Sequence, residues 1–199
     1  MKTPQFFWAA LLGCTLALGG CKDAATPAAP GAAATKGSET PSVAAIAAEA
    51  KGFTIGSEMS VRRVYVFFDP QCPHCAALWQ AAKPLRSQAR FIWIPVGLMN
   101  AASTAQGATL LAAPDPVAAM DQHEVSLQAK QGGITATGEL PEQRAQVAAN
   151  TQLMNRFGFG SVPTVVANHA QTGELVVLEG SRSTAGLATL LGLTPPGGS

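Results

Sequence analysis

The sequence predicts an α/β fold in which a βαβ half and a ββα half are separated by a helical insertion. One observation is an apolar strand over residues 62–68, followed by a helix and a second apolar strand over residues 90–96. Another is a long helix-favouring block over about residues 98–157. The third is an apolar strand that starts at Pro163 and precedes a partner strand and a final helix. A strand–helix–strand order with continuous apolar strands is typical of parallel pairing in a buried sheet.

Size and charge limit the functions that the chain can have. Its 199 residues suffice for one domain with short extras, and its net charge of +1 comes from only 13% charged residues. Nucleic-acid binding needs a basic patch or a run of lysines and arginines, and the sequence has neither. We therefore expect no nucleic-acid partner.

The chain begins with a predicted export signal over residues 1–20. Lys2 supplies a positive charge, and the uncharged apolar run that follows is shorter than a membrane span of about 20 residues. The run ends in Leu18-Gly19-Gly20-Cys21, which resembles the bacterial lipobox, where the cysteine is lipidated and becomes the new N-terminus. Cys14 ends a similar pattern but leaves a very short signal, so the lipidation site is assigned to Cys21. The alternative is an ordinary cleaved signal with an incidental Cys21.

A flexible tether is expected over residues 21–42. This stretch is rich in alanine, proline, glycine and threonine and has no large apolar side chain to bury. A short linker helix over residues 43–52, ended by Gly52, then leads to a catalytic domain over residues 53–199. Export places the domain where a disulfide can persist.

A C-x-x-C motif follows the first strand of the domain. Cys72 is expected at the N-terminus of a helix, because Pro73 suits the first helical turn. The partial positive charge there favours a thiolate and lowers its pKa, and His74 adds positive charge. Cys72 is therefore predicted to be the exposed, attacking sulfur. Cys75, one turn deeper, is predicted to be the resolving sulfur that closes the disulfide.

Zinc binding is the alternative use of a C-x-x-C motif. A structural zinc site needs four ligands, and no second cysteine pair follows in the domain. His123 and His169 are isolated in the sequence, and His123 is expected to lie solvated on a helix surface. We therefore expect no metal and no organic cofactor.

The helix that starts at Cys72 is expected to run to about Gln88, with a kink at Pro84. Three helices are expected in the insertion, over residues 101–113, 115–131 and 139–157. The last strands and helix are expected over residues 163–168, 174–179 and 183–191.

Pro163 opens its strand directly after a glycine-containing turn. The cis form of the Val162–Pro163 bond costs only about 0.5–1 kcal/mol, so contacts within the fold can select it. A cis bond would leave the Val162 backbone free to pair with an extended substrate beside Cys72. The alternative is a trans proline at the start of a strand.

Three features together resemble a known family: the segment from Tyr65 through Asp69-Pro70-Gln71 to Cys75, the helical insertion, and Ser161-Val162-Pro163-Thr164. They resemble the thioredoxin-fold catalytic domain of the periplasmic DsbC/DsbG thiol:disulfide interchange proteins, with the DsbG branch closer. The resemblance covers roughly residues 50–192. It implies a thioredoxin fold, Cys72 as nucleophile, Cys75 as resolving cysteine in a Cys72–Cys75 disulfide, and Pro163 as a cis proline facing them.

The same resemblance implies a function and a location. It implies a thiol:disulfide oxidoreductase in the periplasm of a Gram-negative bacterium, held to a membrane by its lipid anchor. Its partners would be thiols and disulfides of exported proteins or peptides, and a membrane redox partner that resets the cysteines. Because only a tether and a short helix precede the catalytic domain, a monomer is expected rather than the dimer of the DsbC/DsbG proteins.

The active-site motif differs from the DsbC/DsbG pattern. Those proteins typically have tyrosine at the position of His74 and threonine at that of Val162, whereas Pro73-His74 and Val162 resemble the oxidase DsbA. The direction of electron flow is therefore open: the protein acts either as an isomerase or reductase, or as an oxidase. Asp69 is either a proton acceptor near Cys75 or, as preferred here, a turn residue that caps the helix.

Two non-catalytic alternatives remain. One is a thioredoxin-fold chaperone or metal-binding module whose cysteine pair is structural. The other is a lipoprotein scaffold whose disulfide only stabilises the start of the helix.

Overall fold

Residues 39–197 are described by a computed structural model of the chain. The predicted export signal, most of the tether, and both Cys14 and Cys21 lie outside the described residues. The assignments made for those positions therefore stay predictions.

A mixed five-stranded sheet forms the centre of the described region. Its strands are β1 (Phe53–Gly56), β2 (Arg63–Phe68), β3 (Arg90–Pro95), β4 (Thr164–Asn168) and β5 (Leu175–Glu179). The strand order is β1-β3-β2-β4-β5. β2 and β3 are parallel, as the sequence predicts, and the other neighbouring pairs are antiparallel.

Within residues 39–197, six α-helices accompany the sheet. They are α1 (Val43–Glu49), α2 (Pro73–Ala82), α3 (Ala101–Ala112), α4 (Pro116–Gln128), α5 (Pro141–Arg156) and α6 (Thr184–Leu191). The three predicted helices of the insertion, α3 to α5, and the final helix are confirmed. Among the described residues, no helix combines the length and the apolar character needed to cross a bilayer.

The two faces of the sheet bury two apolar clusters, because successive side chains of a strand point to opposite faces. Val64, Val66 and Phe68 of β2 face the first cluster, which contains the buried faces of α2 and α6 and Met120 of α4. Tyr65 and Phe67 face the second, which contains the buried faces of α1 and α5. The C-x-x-C motif at the start of α2 therefore lies against the first cluster.

Aromatic side chains are concentrated in the first cluster. Trp79 of α2 packs edge-on against Trp93 of β3, with 4.9 Å between ring centroids. Phe68 packs edge-on against Trp93 at 5.5 Å. Edge-to-face pairs of this kind add about 0.5–1.5 kcal/mol beyond the burial of their surface. The first pair joins α2 to β3, and the second joins β3 to β2, the strand that precedes the motif.

Two local features differ from the sequence prediction. α2 ends at Ala82 rather than near Gln88, and a 3₁₀ turn over Lys83–Leu85 follows it. The physical reason is Pro84, which has no N–H to continue the α-helical hydrogen bonds. The edge strand β1 was not predicted, since four residues are too few to show a strand pattern in the sequence.

The short helix α1 packs onto the sheet. Ile46 is fully buried against the second cluster, and the helix contacts α5 and β4. Asn150 of α5 fixes the chain after α1, because its side chain accepts a hydrogen bond from Lys51 N and donates one to Lys51 O.

Candidate functional site

The C-x-x-C motif lies where β2 passes into α2. Cys72 is the N-cap residue of α2, and Pro73 occupies the first helical turn. The Cys72 N–H donates to Asp69 O at 3.0 Å, and the Cys72 carbonyl accepts from Cys75 N at 3.0 Å. The structure thus puts the Cys72 sulfur at the positive end of the helix, as the sequence predicts.

Both cysteines are free thiols and both are buried. Cys72 is 4% exposed and Cys75 is 0% exposed. The prediction that Cys72 is exposed was therefore wrong. The reason is its surroundings: Cys72 belongs to the same apolar cluster as Met120 of α4, and Val162 packs against that cluster.

The environment of Cys72 stabilises its thiolate. A hydrogen bond from the Cys75 side chain is the main cause that lowers the pKa of Cys72, to about 6, against the opposing effect of burial. The backbone N–H groups of Cys75 and His74 and the charge of His74 contribute to the same lowering of the pKa. His74 and Pro73 are themselves exposed at the helix start.

Cys75 has the opposite environment. Burial raises its pKa well above the ordinary value, and the hydrogen bond to Cys72 and the Cys72 charge raise it further. The pair can therefore hold one thiolate and one thiol at neutral pH. A thiolate is the nucleophile in disulfide exchange, so the two sulfurs are chemically distinct.

A cis peptide bond joins Val162 to Pro163, which confirms the sequence prediction. The Val162 carbonyl accepts a hydrogen bond from Cys72 Sγ at 3.5 Å. Pro163 is buried, and its carbonyl accepts from Gly180 N at 2.8 Å. The loop before β4 and the start of α2 therefore form one continuous site.

Asp69 ties the motif to the start of the insertion. Its Oδ1 accepts from Gln71 N at 2.8 Å and from Ser103 Oγ at 2.7 Å. Its Oδ2 accepts from Leu98 N at 2.7 Å and from Met99 N at 2.9 Å. The expectation that Asp69 caps α2 was therefore wrong. Its four partners belong to the turn, to the chain leading into α3 and to the first turn of α3 itself.

His123 is fully buried, so the expectation of a solvated histidine was wrong. Its Nδ1 accepts from Ile134 N at 3.1 Å, which assigns the ring proton to Nε2. The Nε2–H then donates to Pro70 O at 2.6 Å. The neutral ring thus links the turn before Cys72 to the loop after α4, and burial lowers its pKa. A single helical histidine gave no sign of this role in the sequence.

Gln71 is a further contact between the motif and the insertion that sequence reasoning missed. Its Nε2 donates to Gln106 Oε1 at 2.5 Å and to Gly132 O at 2.9 Å. Gln106 in turn donates to Gly132 O at 2.8 Å and to Ile134 O at 2.9 Å. Each residue of the turn from Asp69 to Gln71 is therefore bonded to the insertion.

Metal binding finds no support in this part of the chain. Over residues 39–197, no three histidine, cysteine or acidic side chains come close enough to hold a metal ion. His169 lies on a turn, where its Nδ1 faces Gln171 N at 3.4 Å and Thr172 N at 3.3 Å.

Comparison with known proteins gives a consistent result. A family model described as thioredoxin matches residues 48–184. The chain is 32% identical over 134 residues to the thiol:disulfide interchange protein DsbG of Pseudomonas aeruginosa, covering 66% of this chain and 51% of that protein. It is 32% identical over 104 residues to DsbG of Escherichia coli, covering 51% of this chain and 42% of that protein. The chain thus spans about half the length of these curated relatives.

Solved structures share the fold at low sequence identity. Proteus mirabilis ScsC in a compact conformation superposes with a TM-score of 0.60 at 16% identity, over 80% of this chain and 82% of that one. A periplasmic thioredoxin-like protein from Salmonella enterica gives 0.55 at 18% identity, over 71% and 88%. The thiol-disulfide exchange protein alpha-DsbA2 from Wolbachia pipientis gives 0.54 at 17%, over 71% and 86%. These likenesses establish the thioredoxin-like fold.

The first prediction concerns the ionisation of Cys72. In the reduced protein, the thiolate absorbance should rise with a midpoint near pH 6, and Cys72→Ser should abolish this transition. Cys75→Ala should raise the midpoint, because it removes the main stabilising hydrogen bond. Cys75→Ser keeps a donor and should raise it less. A wild-type midpoint near 8.5, the ordinary value for cysteine, would contradict the assignment.

The second prediction concerns His123 and acid stability. The pKa of His123 is lowered in the folded protein, so the unfolded chain binds its proton more tightly. The contribution of His123 to the free energy of unfolding should therefore fall as pH drops below 6.5, the ordinary histidine value, and the slope of the His123→Gln variant should lack this contribution. Urea unfolding of the reduced protein at a series of pH values measures how the free energy of unfolding depends on pH. His169→Gln is the matched control, and an unchanged slope in His123→Gln would contradict the prediction.

Proposed function

The chain belongs to the thioredoxin family, and from this premise we propose that it is a thiol:disulfide oxidoreductase acting through Cys72 and Cys75. The observation that carries the proposal is the pairing of a stabilised thiolate with a buried thiol that hydrogen-bonds to it. The DsbG relatives, which bear the name thiol:disulfide interchange protein, support the same activity.

In the oxidising direction, a substrate thiolate attacks the Cys72 sulfur of the Cys72–Cys75 disulfide. The disulfide breaks, Cys75 leaves with the electron pair, and its raised pKa draws a proton to it. A second substrate thiolate then attacks the substrate sulfur of the mixed disulfide and releases Cys72 as a thiolate. The low pKa of Cys72 makes it a good leaving group and makes the disulfide more oxidising.

In the reducing direction, the Cys72 thiolate attacks a substrate disulfide and the first substrate thiol leaves. Cys75 loses its proton, attacks Cys72 and releases the second substrate thiol. Two electrons pass from the cysteine pair to the substrate. His74 stabilises the Cys72 thiolate in both directions, and Pro73 starts the helix at whose N-terminus Cys72 lies, so both residues influence the balance between the two directions.

Val162 and Pro163 are proposed to hold the substrate backbone. The Val162 carbonyl lies 3.5 Å from Cys72 Sγ, so a substrate bonded to that sulfur passes beside it. When Cys72 ionises, it no longer donates to this carbonyl, and the acceptor is free for a substrate N–H. An extended peptide gains affinity from such backbone pairing without requiring a particular sequence.

The proposed setting is the periplasm of a Gram-negative bacterium, with lipid on Cys21 holding the domain to a membrane. Exported proteins or peptides would be the substrates, and a membrane redox partner would reset the pair. Thiol exchange with a partner is required in either direction, because each turnover leaves the pair in the opposite redox state.

The third prediction tests the exchange reaction. Cys72→Ser should abolish disulfide reduction and oxidation of model peptides. Cys75→Ser should accumulate a mixed disulfide with the peptide, because the resolving sulfur is gone. Mass spectrometry of the trapped species should assign the bond to Cys72, and Cys21→Ser should keep full activity as the control.

Full activity in Cys72→Ser would overturn the proposed function and favour a binding module with a structural cysteine pair. The equilibrium constant of the pair with glutathione gives the direction of electron flow. A strongly oxidising value would favour the oxidase direction, and a reducing value the reductase or isomerase direction.

The fourth prediction tests the anchor. In a bacterial host, Cys21→Ser should move the protein from the membrane fraction to the soluble fraction and abolish incorporation of labelled fatty acid. Cys14→Ser is the matched control and should leave both unchanged. The reverse pattern would assign the lipid to Cys14, and unchanged behaviour of both variants would exclude lipidation.

A further inference from the structure

Glu124 is a buried acidic residue that the exchange mechanism does not use. It lies on the inner face of α4 with Met120 and His123, and it is only 1% exposed. Its Oε2 atom is buried and has no hydrogen-bond partner among the described residues. An ionised carboxylate in that position is costly, because no donor among the described residues compensates for the hydration it loses on burial. The group therefore has a strong tendency to hold a proton.

The position of α4 brings Glu124 to the start of α2. Asp121 accepts from Trp79 Nε1 of α2 at 2.7 Å and forms an ion pair with Lys83. His123, the residue before Glu124, donates to Pro70 O at 2.6 Å, two residues before Cys72. α4 is thus fixed both to α2 and to the turn before it, and Glu124 is adjacent to the second of these bonds. The charge of Cys72 acts on Glu124.

We propose that Glu124 and Cys72 share one negative charge, which lies on the sulfur when the pair is reduced and on the carboxylate when it is a disulfide. This inference rests on the proposed function and adds to it a proton that moves with the electrons. Glu124 takes up this proton on reduction and releases it on oxidation.

The reaction balances without any further component. With glutathione as reductant, the disulfide and the Glu124 carboxylate react with two glutathione thiols. The S–S bond of the protein breaks, and an S–S bond forms in oxidised glutathione. Of the two protons released, one goes to Cys75 and one to Glu124, while Cys72 stays a thiolate. The negative charge of the site is the same before and after.

The surrounding charges are consistent with this exchange. In the reduced protein the pKa of Glu124 is raised to about 8, mainly by burial and also by the charges of Cys72 and Asp121, against the opposing charge of Lys83. Forming the disulfide removes the Cys72 charge, so the pKa of Glu124 falls. Between these two pKa values, oxidation releases the additional proton.

The other acidic groups near the site are less suited to this role. Both side-chain oxygens of Asp69 already accept hydrogen bonds, four in all. Asp121 is tied to Lys83 and Trp79. Glu124 alone in this group combines burial with a carboxylate oxygen that has no partner in the described residues.

The fifth prediction compares the wild type with Glu124→Gln, which keeps the shape of the neutral acid and cannot ionise. The constant for oxidation of each cysteine pair by glutathione is measured from about pH 5.5 to about pH 9. The ratio of the wild-type constant to that of the variant should rise with pH and level off above about 8. We expect a total change on the order of tenfold, which corresponds to a one-unit difference between the two pKa values of Glu124.

Two further variants make the result decisive. Glu124→Met removes the polar group altogether and should give the same rise, even if a buried glutamine perturbs packing. Glu142→Gln, on the exposed first turn of α5, should give a constant ratio. A ratio that stays constant within about twofold for both Glu124 variants overturns the inference and leaves the proposed function intact. A wild-type pair that does not exchange with glutathione at all overturns both this inference and the proposed function.

Discussion

The hydrogen bond between the Cys75 thiol and the Cys72 sulfur is the interaction on which the chemistry of this protein depends. It is the main cause that lowers the pKa of Cys72 and one of the causes that raise that of Cys75. Two chemically identical side chains, three residues apart, thereby become a nucleophile and a proton carrier. The helix start and the His74 charge strengthen the difference. The contact requires the turn before Cys72 to hold one conformation.

That conformation is held from outside the βαβ unit. Asp69, Pro70 and Gln71 are each bonded to the insertion, through backbone N–H groups, the His123 ring and a glutamine pair. The insertion is therefore part of the redox site and not only a cover for the sheet. Asp69 illustrates the physical point, because its buried carboxylate stays satisfied only while the chain leading into α3 remains in place.

Local patterns in the sequence predicted the parallel βαβ unit, the helices of the insertion and the position of Cys72 at a helix start. Each of these depends on residues close together in the chain, such as Pro73 after Cys72. The buried roles of His123 and Glu124 could not be predicted in this way. They arise from the packing of α4 on α2, and the sequence shows only two polar residues in a helix. The exposure of Cys72 was mispredicted for the same reason.

The small exposed area of Cys72 has a kinetic consequence. Sulfur exchange requires the incoming sulfur to approach in line with the bond that breaks, and 4% exposure leaves little room for that path. Steric access therefore enters the rate beside nucleophilicity. For the exchange reaction that we propose, this geometry favours a thin, unfolded stretch of polypeptide over the rigid surface of a globular protein.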